Sequence, residues 1–418
     1  MRSRKRVFAF FGSDIDPASA RPFLQAKIAE GYCLLALDSG AVLLAKTFGL
    51  EYGLLTDWIS QTTVLEAKEN GREYEQQWYR HQIELFASDD VCWPSFDVEA
   101  MHWFWRAVCI ADELAAEFEV RRVKELQFYA APRPVPALYY YPNDTLARYW
   151  MRRMSSIANP MLGVSGAPHQ PAVADCAATA SDERLDAIAG KRVFVMNPGE
   201  AYRFQTQIAQ MRAAYGESFA VVLLYADSYQ ATAIASLLEV PTYVFEPASD
   251  SSEEAASSFV EGYHLLRDRL ECPWHKPLLY LPEHFYFYCR SRWPMLVSEL
   301  ERWKRLLRKL APSVVFVSTL PDAESQLPAV AAGSLAVPSV AIAHGVGGAR
   351  ATYAHSRFVV ISAEVERRMF RAAGLEEAQL IGCRDFITPD EYEIDPLSKP
   401  PSCRGKFTLL ILTAPTAH

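Results

Sequence analysis

No stretch of this 418-residue chain reaches the roughly 18 uninterrupted apolar residues of a membrane-spanning helix. Its longest apolar strings, 339–343 and 407–412, are strand-sized. Cysteine is sparse: there are eight, no CxxC, and the closest pairs are Cys92/Cys109 and Cys272/Cys289. That spacing reads as reduced, buried thiols rather than a disulfide framework or a zinc site. Basic charge is not in excess either, with 42 Lys and Arg against 50 Asp and Glu for a net −8. A dedicated nucleic-acid binder needs a basic face to neutralise phosphate, so the balance weighs against one. The basic start at Arg2, Arg4, Lys5 and Arg6 precedes an apolar run, 7–12, too short for a signal peptide, and a cytoplasmic protein is expected. GxxxxGK[ST], a GxGxxG after the first strand, GxSxG and HExxH are all missing. Their absence weighs against P-loop ATPases, simple dinucleotide enzymes, α/β-hydrolases and zincins.

What is there is ordinary globular composition, 50% hydrophobic and 22% charged, in a chain long enough for two or three domains. Short β-rich runs at 7–12, 33–38, 53–58, 126–130 and 138–141 alternate with helical spacing at 18–30, 41–48 and 98–118. This predicts an N-terminal α/β domain over 1–150. Residues 151–190, rich in Ala, Ser, Pro and Gly, read as a linker or an irregular excursion. From 191 the pattern strengthens, with strands expected at 193–196, 220–226, 242–245, 314–318, 340–343, 358–361 and 380–381 and helices between most of them. That is the pattern of a Rossmann-like, doubly wound parallel sheet over 191–389. Residues 249–258 read as a polar loop or the approach to a helix. An aperiodic interdomain linker is expected at 390–405. After it, 406–413 is a fully apolar strand, which either opens a further domain truncated at 418 or returns to the preceding sheet.

The most informative segment runs from 313 to 349. It reads strand, helix, strand, which places Ser318, Thr319, Asp322, Glu324 and His344 toward one edge of a parallel sheet. Ligands of open α/β sheets bind beyond the carboxyl ends of the strands, and Gly345, Gly347 and Gly348 would let backbone approach a substrate. A histidine there suits a general base or a partner for phosphate or a sugar hydroxyl, and it is equally compatible with a strand end capped by a glycine turn. A further strand ending at Ser362 follows, then a helix with Glu364 and Glu366 in its first turn, stopped by Gly374. A final short strand and turn run over 380–385.

This order of strand, His-Gly loop, strand ending in Ser, helix, Gly, and strand with Gly-x-x-Asp resembles the end of the N-terminal domain of GT-B type glycosyltransferases of bacterial surface polysaccharides. It is similar also to CDP-glycerol glycerophosphotransferases and, more distantly, to UDP-N-acetylglucosamine 2-epimerases. The resemblance covers about 312–413. It implies a GT-B-like α/β fold whose C-terminal donor domain is truncated here and would begin with the 407–413 strand. It implies a nucleotide-activated sugar as donor substrate, no bound cofactor and no metal, and a glycan or lipid-linked acceptor. His344 and Glu324 would be the catalytic candidates, with Gly345, Gly347, Ser318, Thr319 and Ser362 binding substrate. The function implied is transfer of a sugar or polyol phosphate in capsule or O-antigen type assembly. A non-catalytic scaffold subunit and a sugar-nucleotide epimerase are the alternatives.

Three other features carry two readings each. Leu296, Leu300, Trp303, Leu307 and Leu310 form one helical stripe beside Arg302, Lys304, Arg305, Arg308 and Lys309. Such a helix either docks on an anionic inner-membrane surface or packs on the sheet with a solvated basic face. The aromatics of 93–105, 139–141 and 280–293 suit sugar stacking or a core. Asp14 and Asp16 suit a divalent metal or a turn, and Asp38 and Asp57 end strands in what would be one pocket.

Overall fold

Strands covered on both faces need unbroken apolar runs rather than alternation, and the chain supplies two sets of them. The computed structural model describes residues 6–12, 15, 17–82, 85–88, 91–130, 143–155, 188–224, 226, 228–245, 251–268, 282–318, 323–342, 355–361, 364–372 and 374–382. They fall into two units. The first holds the described residues before 156 together with Ala256–Trp293, and the second holds those from 188 to Ala255 and from Pro294 to 382.

The first unit is built on β1 (Arg6–Phe10), β2 (Cys33–Ala36), β3 (Tyr52–Leu54) and, after the small antiparallel pair β4 (Ala87–Ser88) and β5 (Val91–Cys92), β6 (Glu125–Tyr129). The sheet order is β3-β2-β1-β6 and every pairing in it is parallel. Phe8, Phe10, Leu34 and Ala36 bury one face against Ala20, Leu24 and Ala41 of helices Pro17–Ala29 and Ser39–Thr47. Phe128 stacks on Trp150 of helix Asn143–Arg153 with ring centroids 5.0 Å apart. The strand expected over 53–58 ends at Leu54, because the Asp57 carboxylate accepts the Leu54 N–H at 2.8 Å and closes a 3-10 turn.

A second core in this unit is aromatic. Trp93 and Phe96 pack with Phe86, Phe259 and Trp293, and Trp93, Trp105, Tyr288 and Trp293 are all fully buried. The described aromatics of 93–105 and 285–293 are therefore largely core; Tyr139 to Tyr141 lie outside the described residues. Inside this core sits an ion pair, Arg292 Nε to Asp97 Oδ1 at 3.3 Å, with the Trp293 indole N–H donating to Asp97 Oδ2 at 2.9 Å. A π-helical turn, Tyr288–Arg292, leads into Trp293 and carries the arginine.

The second unit contains β7 (Arg192–Met196), β8 (Phe219–Leu224), β9 (Thr242–Phe245), β10 (Val314–Ser318), β11 (Ser339–Ile342), β12 (Phe358–Ile361) and β13 (Leu380–Gly382). These form one seven-stranded sheet ordered β13-β12-β11-β10-β7-β8-β9, parallel throughout. One face carries Phe194, Met196, Val221, Leu223 and Phe316 against Phe204, Ile208, Met211, Ile234 and Leu238 from helices between Pro198 and Leu238. The helix Trp293–Leu310 presents its stripe to the other face: Leu296, Leu300, Trp303, Leu307 and Leu310 are all buried, and Trp303 stacks on Phe245 at 3.9 Å. With helices on both faces, the sheet is doubly wound and Rossmann-like, and the fold class is α/β as expected.

Candidate functional site

In a parallel sheet the crevice opens where successive connections leave in opposite directions, beyond the carboxyl ends of the two strands involved. Here β7 is followed outward on one side by β8 and β9 and on the other by β10 to β13, so the reversal lies between β7 and β10. Val195 stands opposite Val317 in that pair, which brings Met196 and Ser318 to the same edge.

Two polar side chains meet there. After β7 the chain turns at Asn197 into the short helix Pro198–Arg203, and Glu200 closes the turn with its Oε2, which accepts the Asn197 N–H at 3.1 Å. Glu200 is only 3% exposed, and among the described residues no donor reaches its Oε1 with hydrogen-bond geometry. Burial pushes its carboxyl above the usual carboxylate value, against the Ser318 hydroxyl, the Asn197 N–H and the charge of Arg203, which all favour ionisation. Ser318 is fully buried at the end of β10 and its hydroxyl lies beside that carboxyl. The sequence pattern Asn197 to Glu200 after an apolar strand is a helix-start signature; it points to the turn but not to the burial that makes this carboxyl unusual.

Ser318 also anchors the next connection. The Gln326 side chain donates to the Ser318 carbonyl at 3.2 Å and accepts the His355 N–H at 3.4 Å. Ile342, the last residue of β11, is paired with Ser318. Both flanks of the 343–354 segment, Ile342 and His355, are thus tied to the end of β10. His344, Gly345, Gly347, Thr319 and Ser362 lie outside the described residues, as does the side chain of Glu324, whose backbone sits in the first turn of helix Ala323–Ser334. Of the sequence-predicted substrate contacts, Ser318 is the one placed with its side chain, and it acts on Glu200.

His355 is half-buried, and the desolvation of its ring holds the imidazole down at about 4. Between its ordinary value of 6.5 and about 4, the unfolded chain takes up a proton that the folded chain refuses, so stability is lost as pH falls through that window. Glu200, with its pKa raised, works in the opposite sense: its contribution is complete below its ordinary value of 4.5 and is lost as pH rises. His355→Gln is therefore expected to flatten the loss of stability between pH 6.5 and 4, measured by denaturant unfolding at several pH values. An unchanged slope would contradict this.

No family model matches the chain, and no curated protein matches it. Among solved structures, UDP-GlcNAc 2-epimerase from Neisseria meningitidis bound to UDP-GlcNAc aligns over 91% of this chain and 97% of its own, at 8% identity and a TM-score of 0.21. At that score the superposition adds nothing to what the strand order shows.

The polar groups of the first unit have structural work. Asp38 Oδ1 accepts from Gly12 N at 2.8 Å and Ala41 N at 2.7 Å, capping a helix and tying the β1 loop to it. Gly12 is required there, since a Cβ would come within 2.0 Å of the Gly40 carbonyl carbon. At the opposite edge, Arg6 pairs with Glu125 at 2.7 Å, and Tyr32 donates to Glu125. Burial first, then Glu125, pushes the Tyr32 phenol up to about 12. Asp14 and Asp16 lie outside the described residues. Among the described residues no group of three or more His, Cys, Asp or Glu is arranged to hold a metal, and no helix is long and apolar enough to cross a membrane.

Proposed function

We propose that this chain is a glycosyltransferase-like enzyme of surface-carbohydrate assembly, moving a sugar or polyol phosphate from a nucleotide-activated donor to a glycan or lipid-linked acceptor. The observation that supports it is the convergence, at the reversal between β7 and β10, of Glu200, Ser318 and the anchored flanks of the His344 segment. In this reading His344 takes the proton of the acceptor hydroxyl as that oxygen attacks the activated carbon or phosphorus. The bond to the departing phosphate breaks with its electron pair, and backbone N–H groups and basic side chains stabilise the released charge. Gly345 and Gly347 let the backbone approach, Thr319 and Ser362 offer hydroxyls to substrate, and Glu324 is the second candidate for the acceptor-activating group.

Turnover tests the reading. The purified chain, given UDP- or CDP-activated donors and a lipid-linked glycan acceptor, is expected to release free nucleotide only when acceptor is present. Conversion of the donor to an epimer without acceptor, or no release with any donor, would count against it.

We also place the enzyme at the inner face of an anionic membrane. The stripe of helix Trp293–Leu310 is occupied by the sheet, so the contact is electrostatic rather than inserted. Arg302 lies over the Phe245 ring at 5.6 Å and Lys304 pairs with Glu301 at 2.7 Å, and Arg305, Arg308 and Lys309 are exposed. Changing these three to Gln is expected to abolish co-sedimentation with vesicles containing anionic lipid at low salt. Equal sedimentation of the variant would remove this contact from the account.

A further inference from the structure

Helices that connect parallel strands point their carboxyl ends at the amino edge of the sheet, and a helix carboxyl end carries partial negative charge. In the first unit two of them, Pro17–Ala29 and Ser39–Thr47, end just before β2 and β3. A cavity of about 90 Å³ opens there, walled by Ile28, Tyr32, Cys33, Leu34, Glu51 and Tyr52. Leu34 and Tyr52 are register partners, so two adjacent strands build one wall, and Ile28 adds an exposed aliphatic side chain from the first helix. The Glu51 carboxylate is exposed and has no ion-pair partner among the described residues. The cations nearby are already matched, Arg6 with Glu125 at 2.7 Å and Lys27 with Glu30 at 2.9 Å. Lys46, in the last turn of the second helix, is exposed and does not line the cavity. The Tyr32 ring faces Arg6 at 4.2 Å and Lys27 at 5.5 Å, which leaves Tyr52 as the aromatic wall without a cation.

We propose that this cavity binds a small organic cation, an alkylammonium group whose carbon substituents rest on Ile28, Leu34 and Tyr52 while its charge meets Glu51 and the two helix ends. Aromatic and aliphatic walls beside one carboxylate suit a substituted ammonium, which is costly to desolvate only in part and is drawn to a ring face. The unmatched carboxylate and the helix carboxyl ends repel a phosphate or a carboxylate ligand. The site lies within the first unit and does not depend on the transfer reading. Cys33, a free thiol on the same wall, is covered when the cavity is filled and so reports its occupancy.

The test titrates the intact chain by calorimetry with choline, with 3,3-dimethylbutanol, which has the same shape without the charge, and with acetate. Alkylation of Cys33 by iodoacetamide is followed in parallel by peptide-resolved mass spectrometry. Choline is expected to bind and, at about ten times its Kd, to slow Cys33 alkylation about tenfold, since only the unoccupied fraction reacts. The neutral isostere and acetate are expected to do neither. Glu51→Gln, a change at an exposed position, is expected to melt as the parent does and to weaken choline about fivefold. Tyr52→Phe keeps the ring and is expected to bind as the parent does, whereas Tyr52→Leu is expected to bind about fivefold more weakly. Phosphocholine separates the sources of the cation: weaker binding than choline assigns a free amine and equal binding a lipid head group, and either upholds the site. Absence of choline binding overturns the proposal. So does equal protection by choline and its neutral isostere, choline binding that leaves Cys33 alkylation unchanged, or binding that is the same in Glu51→Gln as in the parent.

Discussion

Replacing Asp97 by alanine is expected to destabilise the first unit by about 3–5 kcal/mol, the range for removing one member of a buried ion pair. Asp97 and Arg292 are each 5% exposed and 3.3 Å apart, and the second carboxylate oxygen takes the Trp293 indole N–H at 2.9 Å. Alanine takes the Asp97 carboxylate from both the guanidinium and the indole N–H, in a shell of Trp93, Phe86, Phe259 and Tyr288. The pair couples residues 195 positions apart in sequence, tying Ala256–Trp293 into the first unit. The loss comes chiefly from the stranded charge, so the double change Asp97→Leu with Arg292→Met should restore most of it. Urea unfolding followed by tryptophan fluorescence measures both variants. A single variant within about 1 kcal/mol of the parent, well below the range for a broken buried pair, would show the pair to be weak.

Substitution of His344 by alanine is expected to lower kcat for transfer by about 10²–10⁴-fold with little change in KM, the signature of a group that acts in the transition state. His344 follows Ile342 by two residues, and Ile342 is registered beside Ser318 at the carboxyl edge of the sheet. Downstream, His355 is strapped to the same strand end by Gln326. In the proposed reading, a histidine between two flanks tied to the end of β10 suits a base that must be held in position. Steady-state kinetics at saturating donor check it. A variant with normal kcat would reduce the His-Gly sequence to a strand-capping turn.

Much of the parallel core was legible from sequence. Thr242–Phe245, Val314–Ser318 and Phe358–Ile361 have the expected bounds, because short apolar runs between turn residues leave a strand little room to slide. Helix Gln61–Gln82 was not legible. Its sequence is mostly polar and carries Gly71 at its middle, where a helix stripe would place an apolar side chain. The glycine lets the backbone of helix Val98–Val120 approach, since a Cβ there would sit 2.7 Å from the Arg106 Cα. The return of Ala256–Trp293 to the first unit was equally hidden. The chain leaves the second unit inside helix Glu253–Asp268 and re-enters it at the start of helix Trp293–Leu310, so no glycine- or proline-rich linker marks the first crossing. Within the site, the edge was legible from the strand–helix–strand pattern around Ser318. Glu200 was not singled out, because a carboxylate at a helix start is commonplace and only tertiary packing buries it.

In the proposed function the carboxyl edge between β7 and β10 receives a nucleotide-activated donor. Hydrogen exchange of the intact chain, with and without saturating UDP- or CDP-activated donor, measures it directly. The account predicts added protection in peptides covering 197–204 and 318–326, with none around Arg6, Tyr32 and Glu125. Protection confined to the first unit, or none at either strand end with any donor, would contradict it.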